Sequence, residues 1–185
     1  MRRTFIILSI LFVTGIGFSM KEISGSFDLV SPVYAATVNS STRLFLRIDG
    51  IAGDVIDDVH KGELSPESFA VSVTRALGAT RPVLGELRAT LPVSTASPKL
   101  LVYAASGGRI PKAVLTIRSG SQDIGRWILT DVALTSYQTV GNTHGDDVSE
   151  QITLSYAKIE FEYSSTLRVE KTRGGWDQRA NKAIQ

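Results

Sequence analysis

The groups that could do chemistry fall into three clusters. Asp54, Asp57, Asp58 and His60 share one short stretch. Carboxylates beside an imidazole could hold a divalent cation. The spacing misses the calcium-loop template, which wants a glycine at its sixth position and a closing glutamate at its twelfth. The stretch therefore reads as a solvated acidic loop. His60 and His144 are the only histidines. A serine, histidine and aspartate triad is geometric, so spacing does not exclude one. There is no Gly-x-Ser-x-Gly elbow, and each histidine reads as a surface turn residue.

Asp146, Asp147 and Glu150 precede a strand pattern. They could act as a metal patch or as paired carboxylates for glycoside cleavage. A charged edge that discourages stray strand pairing explains them better. Arg168, Lys171, Arg173, Arg179 and Lys182 form a basic run that could touch phosphates. Glu170 and Asp177 interrupt it, and only Trp176 could stack on a base. It reads as a solvated tail, polar and loosely ordered over 171–185. Gly107-Gly108 has no Gly-Lys-Ser/Thr after it, which excludes a phosphate loop. No catalytic, cofactor-binding or metal site is expected, and the chain does not read as an enzyme.

The composition agrees. The 185 residues are 43% hydrophobic and 21% charged, ordinary for a globular chain. That length can bury a core without staples. A formal net charge of +2 is too balanced for a nucleic-acid binder. With no cysteine, disulfides, thiolate metal sites and cysteine catalysis are excluded.

The N-terminus reads as an export signal. Arg2 and Arg3 precede the apolar run Phe5-Ile6-Ile7-Leu8-Ser9-Ile10-Leu11-Phe12-Val13-Thr14-Gly15-Ile16-Gly17-Phe18. This run falls short of the ~20 residues of a spanning helix and suits a signal peptide. Val33-Tyr34-Ala35-Ala36 offers small residues for processing, so residues 1–36 are expected to be the leader, with cleavage after Ala36 or, nearly as well placed, after Ala35; an uncleaved membrane anchor is the alternative. Arg2-Arg3-Thr4-Phe5-Ile6 also loosely resembles a twin-arginine address. Removal takes Arg2, Arg3, Lys21, Glu22 and Asp28 and leaves a formal charge of +1. The product would be secreted or periplasmic, with no stable membrane span.

From Leu44 onward the pattern has period two. Leu44, Leu46 and Ile48 alternate with Arg43 and Arg47. Phe69, Val71 and Val73 alternate with Ser68, Ser72 and Thr74. Ala113, Leu115 and Ile117 alternate with Lys112, Thr116 and Arg118. These are half-buried strands. Ile152, Leu154 and Tyr156 share one parity, whereas Ile159, Phe161 and Tyr163 take the other. A change of face near Ala157 and Lys158 suggests a bulge or a passage between sheets. One helix is expected over 97–106, capped by Ser97 with Pro98 at its first position. Gly107 and Gly108 stop it. It is too short to stand alone and should dock through Leu101, Ala104 and Ala105. Turns are expected at Asp49-Gly50, Gly53-Asp54, Ser119-Gly120 and around 142–145. Residues 78–95 read as a long connection. The fold class is mainly β: a small barrel of two packed antiparallel sheets with one short flanking helix.

Three blocks of this order are distinctive. They are Leu44-Phe45-Leu46-Arg47-Ile48-Asp49-Gly50, Ala96-Ser97-Pro98-Lys99-Leu100-Leu101 running on to Gly107-Gly108, and Leu154-Ser155-Tyr156-Ala157-Lys158-Ile159-Glu160. With Leu129-Thr130-Asp131-Val132 and Ser136-Tyr137 between them, they resemble the hemolysin-coregulated protein (Hcp) family, the inner-tube component of the type VI secretion system. The resemblance covers roughly residues 44–163 and carries no catalytic motif. It implies a two-sheet barrel, homohexameric rings and stacking of rings into a tube. The partners it implies are a valine-glycine repeat spike protein, a contractile sheath and small effectors carried in the ring. It places an extended, neighbour-contacting loop at 78–88. Tube proteins of this family normally lack a cleavable leader, so residues 1–36 depart from the pattern. The expected layout is a leader at 1–36, a short linker at 37–43, a barrel at 44–170 and a tail at 171–185. An exported monomeric binding module that keeps only the fold is the alternative.

Overall fold

The computed structural model describes residues 42–141, 148–164 and 171–185. The expected leader, the 142–145 turn, His144, Asp146, Asp147 and Arg168 lie outside them.

The strand alternations become a long antiparallel wall. Strands β1 (Thr42–Ile48), β2 (Ser68–Ala70), β5 (Leu87–Pro92), β6 (Arg109–Ser119), β7 (Gln122–Val140) and β8 (Ser149–Ser164) pair in the order β1-β6-β7-β8-β5-β2. Strands β3 (Val73–Thr74) and β4 (Val83–Leu84) form a separate two-stranded sheet. Strand β9 (Lys171–Asp177) pairs with β8 and with β10 (Lys182–Ile184).

The wall must curl. Leu46 on β1 and Leu91 on β5 stand four ladder steps apart, about 19 Å in a flat sheet at the usual spacing. Both are buried in one core with Leu87, Leu115, Leu129, Val132, Ile152 and Leu154. The ends of the path, β1 and β2, are not paired with each other. Leu64 bridges part of the opening: its N–H donates to Leu46 O and its carbonyl accepts from Leu46 N, both at 2.9 Å.

Strand β8 explains the change of parity. Glu150, Ile152, Leu154 and Tyr156 are buried in its first half, and Ala157 and Ile159 in its second. Its outer edge pairs with β5 over the first half and with β9 over the second. Its register with β7 does not slip there: Val132 faces Tyr156 and Thr130 faces Lys158. The turn comes instead from Asp131, opposite Ala157, whose φ is +57°. The expected bulge lies elsewhere, at Thr135, between Leu134 and Ser136.

Helix α1 (Ser97–Ser106) forms where Pro98 and the glycines require, and Gly107 ends it with φ +67°. Two details differ from expectation. Ala96 is the N-cap residue and makes no side-chain cap bond; the Ser97 hydroxyl instead accepts from Ser94 N–H at 2.9 Å. The docking stripe is Ala96, Leu100, Tyr103 and Ala104, at i, i+4, i+7 and i+8. Leu101 is half exposed and Ala105 exposed. A helix this short can be rotated by its anchor, and buried Leu100 outweighs the propensity of its neighbours.

The boundaries also change. Residues 42–43, expected in the linker, belong to β1. Leu87, Ala89 and Leu91, expected within a connection, are core residues of β5. Residues 171–185 are no loose tail: β9 and β10 extend the wall, and Trp176 packs against the core.

Candidate functional site

The acidic loop of 54–60 turns inward. Asp57 opens a tight turn, accepting from Val59 N–H at 3.0 Å and His60 N–H at 3.2 Å. That turn drives His60 into the barrel end, where it is 3% exposed, not a surface residue. Its ring stacks on Phe45, centroids 4.1 Å apart and nearly parallel. Nδ1 lies 3.0 Å from Glu63 and Nε2 3.2 Å from Asp123. Arg118, also buried, donates to Asp123 at 2.7 Å and to Asp57 at 3.1 Å. Arg126 reaches Asp123 from outside at 3.1 Å, and Arg43 lies over the Phe45 ring.

Hydrogen bonds from Val59 and His60 N–H, with Arg118 and Arg43 nearby, hold the Asp57 carboxyl below the usual carboxylate range. Burial opposes ionisation of Asp123, but Arg118, His60 and Arg126 outweigh it and its value is also lowered. Burial works against the Arg118 charge, yet Asp123 and Asp57 raise its value overall.

Chemically this is a strap fastener. Both His60 ring nitrogens face carboxylates, so neither is left to activate a hydroxyl. Arg118 supplies a fixed positive charge where a metal would have to sit, and among the described residues no cluster of three or more acidic or histidine side chains is arranged to hold a metal ion. The cluster ties residues 53–64 across the end of the wall.

The other sequence-selected residues scatter. Asp54 accepts from Thr95 N–H at 2.9 Å and from its hydroxyl, joining the strap to the start of α1. Asp58 is exposed. Glu150, expected on a charged edge, is 1% exposed and accepts from the Tyr137 hydroxyl at 2.7 Å. Arg173 pairs with Glu160 at 2.7 Å, Arg179 joins Arg109 on Asp131, and Lys171 and Lys182 are exposed. Arg173 and Arg179 therefore fasten the C-terminal hairpin, and the basic run is divided between ion pairs and solvent.

Sequence reasoning missed Phe45, Arg118 and Asp123. Phe45 had a signal: Leu44-Phe45-Leu46 breaks the alternation of its strand. Arg118 and Asp123 had none, because their partners Asp57 and His60 lie more than sixty residues away.

A second feature projects from the core, against which Val71 and Leu84 at its base still pack. Residues 71–86 form an arm through the β3 and β4 pairing, with Gly85 N–H donating to Ser72 O at 2.8 Å. A side chain at Gly85 would collide with the Ser72 hydroxyl. Arg75 closes the tip on Ala79 O at 3.0 Å. Val73 and Val83 are more than half exposed and Leu77 fully so.

Residues 45–163 match the family model described as "Type VI secretion system effector, Hcp". The chain is 30% identical over 82 residues to protein hcp1 of Pseudomonas aeruginosa, a match covering 42% of this chain and spanning about half the length (51%) of that relative. It resembles the crystal structure of Hcp1 from Salmonella typhimurium, at 28% identity and a TM-score of 0.70, over 77% of this chain and 99% of that one. It also resembles a solved type six secretion system protein, at 26% identity and a TM-score of 0.72, over 78% of this chain and all of that one. Wall, helix and matched segment coincide, and the chain belongs to the Hcp family of the type VI secretion system.

Proposed function

We propose that this protein is a secreted, non-enzymatic structural component that closes into a six-membered ring, as a tube protein of type VI secretion does. Family membership supports this, and one structural observation carries it: the arm at 71–86 presents Val73, Leu77 and Val83 to solvent on a backbone shaped by its own hydrogen bonds. An ordered apolar projection is what a subunit offers to a neighbour. Ring stacking, small effectors held in the opening, and docking to a valine-glycine repeat spike and a sheath belong to the same reading.

Residues 1–36 act in this reading as a leader that sends the chain to the envelope or medium. N-terminal sequencing of protein recovered from the medium should begin at Thr37; Met1 there would remove the leader from the proposal.

Native mass measurement of protein lacking residues 1–36 should give six subunits. A strict monomer across micromolar concentrations would overturn the ring. Leu77→Asp should weaken assembly without unfolding the subunit, since Leu77 touches no core.

A further inference from the structure

The arm does not hang from the wall by its backbone alone. Two hydroxyls grip consecutive residues at its base. The Tyr156 hydroxyl, on β8, donates to Gly85 O at 2.5 Å. The Thr135 hydroxyl, on β7, donates to the neighbouring Glu86 carboxylate at 2.8 Å, with Thr153 O at 3.2 Å as its other acceptor. Thr135 is the extra residue of the β7 bulge, and a bulge re-aims the side chain it carries. Without it, Leu134 and its successor would alternate faces in register with β8, and position 135 would have an ordinary cross-strand partner.

Tyr156 is otherwise a core residue, only 7% exposed. Burial and the Glu86 carboxylate push its phenol up to about 12, so it stays a donor at any physiological pH. At the far end, Asn181 Nδ2 donates to Thr80 O at 3.3 Å, a weaker tether from the C-terminal hairpin to the tip. The direction of the arm is thus set from the wall, by these hydrogen bonds together with the packing of Val71 and Leu84 on the core, while Leu77 is fully exposed.

We propose that Tyr156 and Thr135 are positioning residues that pre-aim the 71–86 arm toward the neighbouring copy that the ring-forming reading gives it. The identity of the receiver rests on the ring-forming reading above; the pinning does not. A pre-aimed arm loses little freedom on docking, whereas an unpinned one must be ordered at the moment of contact. The pins therefore act on assembly more than on the stability of the subunit.

The full chain has no cysteine, so Leu77→Cys carrying a benzophenone maleimide places one photo-crosslinker on the tip. It should join two copies of the chain. Tyr156→Phe and Thr135→Val, alone and together, should raise hydrogen exchange of residues 71–86 by about two- to tenfold per pin, the worth of one hydrogen bond. Exchange in β5 and β8 should not change, and crosslinking between copies should fall several-fold. Unchanged exchange in the arm would overturn the pinning. Six-subunit rings without crosslinks between copies would overturn the receiver and leave the ring standing. A chain monomeric by native mass would instead remove the ring itself. If Tyr156→Phe proved unstable, Thr135→Val, at an exposed position, carries the test alone.

Discussion

His60 Nε2 stands 3.2 Å from Asp123 Oδ1, although 63 positions separate the two residues in the chain. One contact joins the strap at 53–64 to the start of β7, and the buried Arg118 shares the same carboxylate. Removing one partner from a buried charge cluster leaves the others uncompensated. Asp123→Ala should cost about 3–5 kcal/mol of unfolding free energy, read from urea midpoints. A double-mutant cycle of His60→Ala with Asp123→Ala should return a coupling of about 0.5–3 kcal/mol; additive effects would show that the strap does not depend on this contact.

Asp57 and Asp123 both titrate below the ordinary carboxylate range in the folded protein. The unfolded chain, with ordinary carboxylates near pH 3.9, then binds more protons than the folded one just below that pH. The contribution of these groups is fully present above the ordinary value and is lost as pH falls through the lowered one. Urea midpoints should be level at neutral pH and fall steeply below about pH 4. In Asp123→Asn the wild-type fall should be shallower. A slope equal to that of the wild type would exclude Asp123 as its source.

The helix has one anchor. Leu100 is fully buried, whereas Leu101 is 52% exposed. Leu100→Ala should destabilise by about 2–5 kcal/mol. Leu101→Ala should lie within about 0.5 kcal/mol of wild type. Thermal unfolding of both variants decides between this face and the neighbouring one.

Among the described residues, Tyr137 supplies the one side-chain hydrogen bond that Glu150 receives inside the wall, and the other carboxylate oxygen is buried without a partner. Tyr137→Phe keeps the ring and removes the donor. It should cost about 1–3 kcal/mol, the penalty of an unsatisfied buried group. Glu150→Gln in the same background should recover part of that loss, because an amide is less costly to bury than a carboxylate.

Much of the wall was legible in the sequence. Alternation marks β1, β6 and both halves of β8, and the parity change expected near Ala157 and Lys158 falls one position earlier, between Tyr156 and Ala157. Pro98 and Gly107 bracketed the helix because their backbone constraints are local. Strand β5 was hidden because Pro82, Gly85 and Pro92 punctuate the segment around Leu87, Ala89 and Leu91, and proline and glycine signal connections more strongly than three apolar residues signal a strand. The C-terminal hairpin was hidden by its charge: Arg173 and Asp177 look solvated until Glu160 and Lys158 stand opposite them. The strap cluster was half legible. Asp57, His60 and Glu63 lie together in sequence, but what they hold, Arg118 and Asp123, is fixed by strand pairing and has no linear trace.

The divided edge of β8 has a consequence for when the protein can fold. Its first half is covered by β5, which precedes it in the chain; its second half waits for β9, which follows it. Until residues 171–185 have left the ribosome, half of the central strand offers bare backbone donors and acceptors, and the core beneath Ile159 lacks Trp176. The outer edge of β8 therefore stays half open until β9 has been made.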